Sequence, residues 1–344
     1  MLAMQPTNVL VTGGAGYIGS HAAHQLVAAG YKVTVVDNLY SGHRWAVPKK
    51  AEFEQIDIGN FDKISALLRQ NRISTVMHFA GHIEVPESIS DPFKYYTNNV
   101  VSSWSLINAC RQSGVNSFIF SSSAAVYGNP DTLPVTEAAT PRPINPYGRT
   151  KLIIEWLLND LTNSDSAMQT MRHVSLRYFN VAGARHDGEL GQSTPKASHL
   201  IKVACEAACG LRTSVPLYGT DYTTPDGTCI RDYIHVDDLA AAHVNALDYL
   251  VGGGTSCTLN CGYGRGFSVR EVLDIVQTVS GKKLTIVESN RRAGDVAELV
   301  ADSTRIRDVL KWRPQYDDLE WICRTAFEWE QKIAGGMLGK NSNP

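Results

Sequence analysis

Long apolar runs are missing from this 344-residue chain. None approaches the ~20 residues needed to cross a bilayer. The opening MLAMQPTN also lacks the basic region and apolar stretch of a signal peptide, and a strand-like NVLVTG follows directly. Strong charge of either sign is absent as well: 32 basic residues meet 34 acidic ones, for a formal charge of −2. That balance gives no electrostatic reason to expect nucleic acid or an anionic membrane as partner. Paired cysteines are lacking too. The cysteines (Cys110, Cys205, Cys209, Cys229, Cys257, Cys261, Cys323) form no CxxC motif. Cys205 and Cys209 share a helical spacing, but no histidine or second thiol pair completes a metal site nearby. The expectation is therefore seven free thiols, no metal, and a cytoplasmic home. No internal repeat or low-complexity tract is visible.

What is present is the composition of a soluble globular protein, 43% hydrophobic and 19% charged. The chain is long for a single core, so a large domain with a smaller one beside it is expected. In the first half, β-branched runs (NVLVTG, KVTVVD, EFEQID, TVMHFA, SFIFSSS and HVSLRYFN) alternate with helix-period stretches at 17–29, 61–70, 102–114 and 147–161. That alternation predicts an α/β fold built on a doubly wound, Rossmann-like parallel sheet. Near residue 181 the regularity breaks, and 183–232 is rich in Gly, Thr, Pro and Asp, with one helix-like piece at 195–209. A helix pattern (VDDLAAAHVNAL), a short TLNCG strand and a further helix (SVREVLDIVQTV) follow. The expected layout is a cofactor domain over 1–180 with a returning segment at about 233–262. A smaller, mixed α/β substrate domain takes 181–232 and 263–335, and 336–344 is a loose tail.

TGGAGYIGSH places Gly13, Gly16 and Gly19 in GxxGxxG spacing, after a strand and at the opening of a helix. Such glycines allow a tight turn and let the backbone approach a pyrophosphate at the positive helix end. Alone they fit any Gly-rich turn. The second strand, however, ends in Asp37, where a carboxylate takes ribose hydroxyls and repels a 2′-phosphate, favouring NAD over NADP. Asp57 and Ile58, closing the third strand, suit adenine.

NPYGRTK raises a different question. Tyr147 and Lys151 lie one turn apart on a helix face, and among 14 tyrosines this is the one followed four residues later by lysine. The spacing by itself also fits a solvated surface pair. Ser121, Ser122 and Ser123 end an apolar strand at the carboxyl edge where α/β folds bind ligands. A serine hydroxyl there can hold a substrate oxygen while a tyrosinate removes its proton. Bringing the phenol from ~10 towards ~7 takes ~4 kcal/mol, more than an exposed ion pair supplies. Lys151 and a nicotinamide cation acting through a low-dielectric site would suffice, so a lowered Tyr147 pKa is expected.

TGGAGYIGSH, HFAG, FSSSAAVYG, PYGRTK, LRYFN and RDYIHVDDLA occur in that order over nearly the whole chain. Together they resemble the extended short-chain dehydrogenase/reductase family and, within it, the UDP-glucose (UDP-galactose) 4-epimerase group. The resemblance implies Ser123, Tyr147 and Lys151 as the catalytic set. It implies NAD held by Gly13, Gly16, Tyr17, Ile18, Gly19, Asp37, Asn38, Asp57 and Ile58. It adds Phe79, Ala80, Gly81, Asn98, Ser121, Tyr147, Lys151 and Phe179 to that cofactor shell. A UDP-sugar would meet Ser123, Tyr147, Asn180, His199, Leu200, Leu217, Tyr218, Arg231, Tyr233, Arg292, Asp295 and Leu299. In that picture Tyr147 takes the proton of the sugar 4-hydroxyl, C4 gives hydride to NAD, and the 4-keto sugar turns over. Hydride then returns to its other face. A homodimer through the helices at 102–114 and 147–161 is also implied.

Departures from the group bear on the chemistry. Related sugar-nucleotide dehydratases carry Asp-Glu just after the catalytic Ser/Thr; here Ala124 and Ala125 leave no acid, which favours epimerisation. Where many members have Leu-Lys-Ala-Val after HFAG, this chain has His82-Ile83-Glu84-Val85, so a cationic contact is missing. A family Asn-Leu stands as His199-Leu200, and Leu299 is intermediate in size where relatives carry Tyr or a small residue. UDP-N-acetylglucosamine, or UDP-xylose and UDP-arabinose, therefore stay open as alternative substrates. Packing or a hydrogen bond is the expected role of His82 and of His199.

Overall fold

The computed structural model describes residues 7–162, 171–194 and 198–336. The start of the helix-like piece expected at 195–209 and all but the first residue of the expected tail lie outside them. Apolar β-branched runs form the strands of the large sheet: β1 (Asn8–Thr12), β2 (Lys32–Asp37), β3 (Glu52–Gln55), β4 (Thr75–His78), β5 (Ser117–Ser121) and β6 (Arg172–Tyr178). The later strands are β7 (Asn180–Ala182), β8 (Val215–Tyr218), β9 (Ile230–His235), β10 (Cys257–Cys261), β11 (Gly266–Ser268), β12 (Ile286–Ser289) and β13 (Glu298–Leu299). The sheet order is β10-β6-β5-β4-β1-β2-β3, and every pairing is parallel. The fold is the doubly wound, Rossmann-like α/β sheet that the alternation implied. Chain order reverses between β1 and β4, and ligands bind such sheets at that switch point.

Helices cover both faces: α1 (Tyr17–Ala28), α2 (Phe61–Gln70), α3 (Val85–Ser90), α4 (Pro92–Tyr95), α5 (Ser103–Gln112) and α6 (Pro146–Thr162). A π-helical turn, Tyr96–Ser102, joins α4 to α5. Further along come α7 (Leu200–Ala208), α8 (Val236–Val251), α9 (Val269–Ser280), α10 (Thr304–Val309) and α11 (Leu319–Ala334). After β9 the chain returns to the large sheet, with α8 packed on α1 and β10 beside β6. The remainder forms the second, smaller unit. Helices α7, α9 and α11 pack together there, β8 pairs with β12, and β9 is flanked by β7, β11 and β13. Among the described residues no helix is long and apolar enough to cross a membrane.

Three differences from the sequence reading position the site. HVSLRYFN reads as one strand, yet it splits at Phe179. Up to Tyr178 it belongs to the large sheet, and from Asn180 it pairs with β9 of the small one. One residue thus hands the chain from one unit to the other. The helices α3, α4 and the π-helical turn were not foreseen, because Pro86, Pro92 and the short apolar spacing break the helical period. Neither was α11, an amphipathic helix capped by Asp318, whose carboxylate accepts from the Glu320 nitrogen at 2.8 Å.

Candidate active site

The carboxyl ends of β1, β2, β4, β5 and β6, together with β9, line a cavity of about 720 Å³. On one side stands the glycine loop. Gly13 has φ +70°, and a Cβ there would stand 2.6 Å from the Ala80 nitrogen, so only glycine lets β1 and β4 close around the turn. Gly16 is the N-cap of α1 and no side chain caps the helix, leaving first-turn N–H groups for an anion. Asp37 accepts from the nitrogens of Ala15 at 3.0 Å and Leu39 at 2.8 Å, which ties its carboxylate to the loop. Burial pushes that carboxyl above its ordinary value, and these two bonds oppose the rise. Asn38 donates to Asp57 at 2.9 Å, and Ile58 lies against the cavity behind them. Tyr17, Ile18, Gly19, Phe79, Ala80, Gly81, Asn98 and Phe179 complete this side. A pocket with an open helix end, a carboxylate at the β2 terminus and the apolar Ile56 and Ile58 beside Asp57 fits NAD.

The reactive groups face each other at the β5 end. Asn145 accepts from the Gly148 nitrogen at 2.8 Å and Pro146 opens α6, so the helix begins with Tyr147 in its first turn. Gly148 lets α6 press on the loop after β5; a Cβ there would stand 2.4 Å from the Ala125 oxygen. That approach brings Tyr147 onto the same cavity wall as Ser123, whose neighbouring hydroxyl favours the ionised phenol. Of the three serines, Ser123 alone lines the cavity. Ser122 turns inward to Glu155, 2.5 Å away, and Ser121 is buried with its carbonyl accepting from Lys151. Ala124 and Ala125 line the cavity beside Ser123 and bring no acid.

Three of the predicted site residues lie off the cavity lining. Lys151 and Ser121 stand behind the cavity wall instead of on it, because α6 carries the lysine one turn inward beneath Tyr147. The Lys151 ammonium lies 5.1 Å from the Phe120 ring centre and 5.8 Å from that of Tyr147. Burial brings Lys151 down to about 8, against a smaller upward pull from Glu155. Tyr147 itself is not lowered by the chain's own residues: burial, and then the neighbouring Tyr178, push the phenol well up. Leu217 does not reach the cavity either. Alternation along β8 turns it into the core beside Val215, while Pro216 and Tyr218, on the strand's other face, line the wall.

The smaller unit supplies the opposite wall. Asn180, His199, Leu200, Tyr218, Arg231, Tyr233, Arg292, Asp295 and Leu299 all line it. Arg231 donates to the Val296 oxygen at 2.7 Å and the Ile230 oxygen at 2.9 Å, which fixes its guanidinium at the cavity edge. Arg292 bonds Asp295 at 3.1 Å and lies 5.4 Å from the Tyr218 ring centre. His199 bonds Gln192 at 3.1 Å, and burial lowers its pKa, keeping the ring neutral. His82 packs its ring 4.9 Å from Tyr40 and 5.5 Å from Tyr95.

Sequence reasoning missed several lining residues. Tyr178 ends β6 as Ser123 follows β5, and its place at a strand's carboxyl end was the available signal. Tyr40, Gln192 and Ser198 lie in loops whose return to the cavity no local pattern announces. Ile83 stands where relatives carry the lysine and Glu84 where they carry alanine; the position of Glu84 in the cavity was not foreseen.

A family model described as "NAD dependent epimerase/dehydratase family" matches residues 9–262, and the chain belongs to that family. A UDP-glucose 4-epimerase from Azospirillum brasilense is 50% identical over 325 residues, covering 94% of this chain and 92% of the relative. The crystal structure of a UDP-glucose 4-epimerase from Brucella ovis in complex with NAD superposes with TM-score 0.90 at 45% identity, over 94% of this chain and 98% of that one. A UDP-glucose 4-epimerase from Stenotrophomonas maltophila, with bound NAD and formylated UDP-arabinopyranose, gives TM-score 0.91 at 38% identity, over 96% of this chain and 99% of that one. NAD is thus the cofactor that the family and its NAD-bound structures point to, and the pocket's lining residues agree with it.

Proposed function

We propose that this chain interconverts UDP-glucose and UDP-galactose by inverting C4 of the sugar. The observation that carries the reading is the meeting of Ser123 and Tyr147 on the cavity wall between the dinucleotide pocket and the arginines of the smaller unit. NAD, when bound, supplies the acceptor and later the donor of the C4 hydride. Tyr147 takes the proton of the 4-hydroxyl at its phenolic oxygen, and Ser123 holds the substrate oxygen beside it. Lys151, buried behind the phenol, provides positive charge in a site where solvent does not screen it. Arg231 and Arg292 suit the diphosphate by charge and by their planar donors, leaving the sugar free to turn over between the two transfers. With Ala124 and Ala125 beside Ser123, no side chain there can protonate a leaving hydroxyl, so the 4-keto sugar is reduced again instead of dehydrated. The activity of the relatives favours the hexose pair over UDP-N-acetylglucosamine or UDP-xylose and UDP-arabinose.

Homodimerisation through α5 and α6, and a cytoplasmic location, belong to the same reading. Free thiols at all seven cysteines support the second. The test of the activity is a substrate panel with purified protein: UDP-galactose should yield UDP-glucose, and Tyr147→Phe should retain NAD yet lose at least ~100-fold in turnover. Full activity in that variant would remove Tyr147 from the mechanism.

A further inference from the structure

We propose that Glu84 is a specificity-determining residue of this cavity: its carboxylate admits a neutral, hydroxyl-bearing hexose and turns away a sugar that carries its own negative charge. The inference rests on the epimerase reading above and deepens it. Glu84 is the N-cap residue of α3, yet its side chain makes no capping bond and lies in the cavity wall. One oxygen, Oε2, accepts from the hydroxyl of Ser198. The other, Oε1, is buried and accepts from nothing among the described residues. Buried acceptors are rarely left without a donor, so a ligand N–H or O–H is the natural partner.

The surrounding charges say which part of the ligand arrives there. Arg212, Arg231 and Arg292 lie on the cavity wall contributed by the smaller unit, and the diphosphate belongs beside them. Glu84 lies on the wall contributed by the large sheet's connections, as do Ser123 and Tyr147, so the sugar end reaches it. Its charge acts on Tyr147 and on His199. An ionised carboxylate only accepts hydrogen bonds. Sugar hydroxyls can satisfy it, whereas the carboxylate of a hexuronic acid neither donates nor escapes repulsion.

The test compares kcat/KM for UDP-galactose and UDP-galacturonate in the full-length NAD-loaded protein, Glu84→Gln and Glu84→Lys. The wild type should prefer UDP-galactose by ~100-fold or more, and each variant should narrow that ratio at least ~10-fold by accepting UDP-galacturonate better. For a variant that no longer turns over, calorimetric binding of UDP-galacturonate should tighten by a similar factor. A wild type that takes both sugars equally, or variants whose ratio and affinity stay unchanged, would overturn the role of Glu84 while leaving the epimerase reading intact. A wild type that epimerises neither UDP-glucose nor UDP-galactose would overturn that reading, and the inference with it.

Discussion

The ammonium of Lys151 donates to the main-chain oxygen of Ser121 at 2.8 Å, so the lysine is anchored to the end of β5 and acts on the Tyr147 phenol through space. Burial has already pushed Tyr147 up, which makes any nearby positive charge more valuable to catalysis. Lys151→Met is expected to lower kcat ~100-fold near neutral pH. Because the loss comes from a phenol that ionises less readily, it should shrink as pH rises. A pH–rate profile checks this, and a deficit of the same size at every pH would mean that the lysine is not acting on Tyr147.

The strand end that carries Ser123 is braced from behind. Glu155 and Arg177 form an ion pair at 2.6 Å with side chains only 2% and 7% exposed. Ser122 donates to Glu155, and Arg177 donates to Tyr127 at 2.9 Å. Such a pair adds little over a well-packed apolar substitute, but removing one partner strands the other. Glu155→Ala should therefore cost about 3–5 kcal/mol in urea denaturation. The double variant Glu155→Leu with Arg177→Met should recover much of it. A double variant as unstable as the two single losses added together would contradict the ion-pair account.

Stability should fall on mild acidification. Burial lowers His78 to about 3 and His21, His173, His235 and His243 to about 4. Their folded values lie below the ordinary ~6.5 of an unfolded histidine, so the unfolded chain binds more protons between those limits. The stability they contribute is full above ~6.5 and is lost as pH falls through that value towards ~4, at up to about 1.4 kcal/mol per pH unit for each histidine. Asp232 works the other way: burial lifts it to about 6, so its contribution grows as pH falls through that value. Burial raises Asp37, Asp238, Asp317 and Glu330 in the same sense, but between about pH 7.5 and 5.5 the histidines titrate most in the unfolded chain and dominate. Unfolding free energies at about pH 7.5 and about pH 5.5 should differ by several kcal/mol, and a flat profile would mean that these rings are not buried neutral.

Which parts of this were legible beforehand follows from the range of the interactions involved. Asp37 at the end of KVTVVD and Asn145-Pro146 before Tyr147 are local signals, readable from strand period and helix capping. So is the parallel, doubly wound character of the sheet, because alternating strands and helices leave few ways to wind it. The place of Glu84 was not legible, since it depends on α3 and on a bond to Ser198, 114 positions away. Leu217 failed for a simpler reason. A motif marks a segment, but strand alternation decides which of its neighbours faces the ligand, and without the register of β8 the sequence offers no choice between them.

Large apolar side chains are left in solvent on one stretch of surface. Val101, Trp104 and Trp156 are 59%, 55% and 57% exposed, and the π-helical turn bearing Val101 packs on α6, which carries Trp156. Two half-exposed tryptophans with a valine make a patch of the kind that marks protein–protein contact. Helix α6 also leads into the site through Tyr147, so a second copy seated there would steady the catalytic helix. On the proposed dimer, the wild type should run as a dimer and the double variant Trp104→Glu with Trp156→Glu as a monomer, checked by light scattering after gel filtration. Charges buried at such a patch are costly without partners, so the dimer constant should weaken by ~100-fold or more. A wild type that is monomeric at micromolar concentration, or a variant that dimerises undiminished, would rule this face out as the interface.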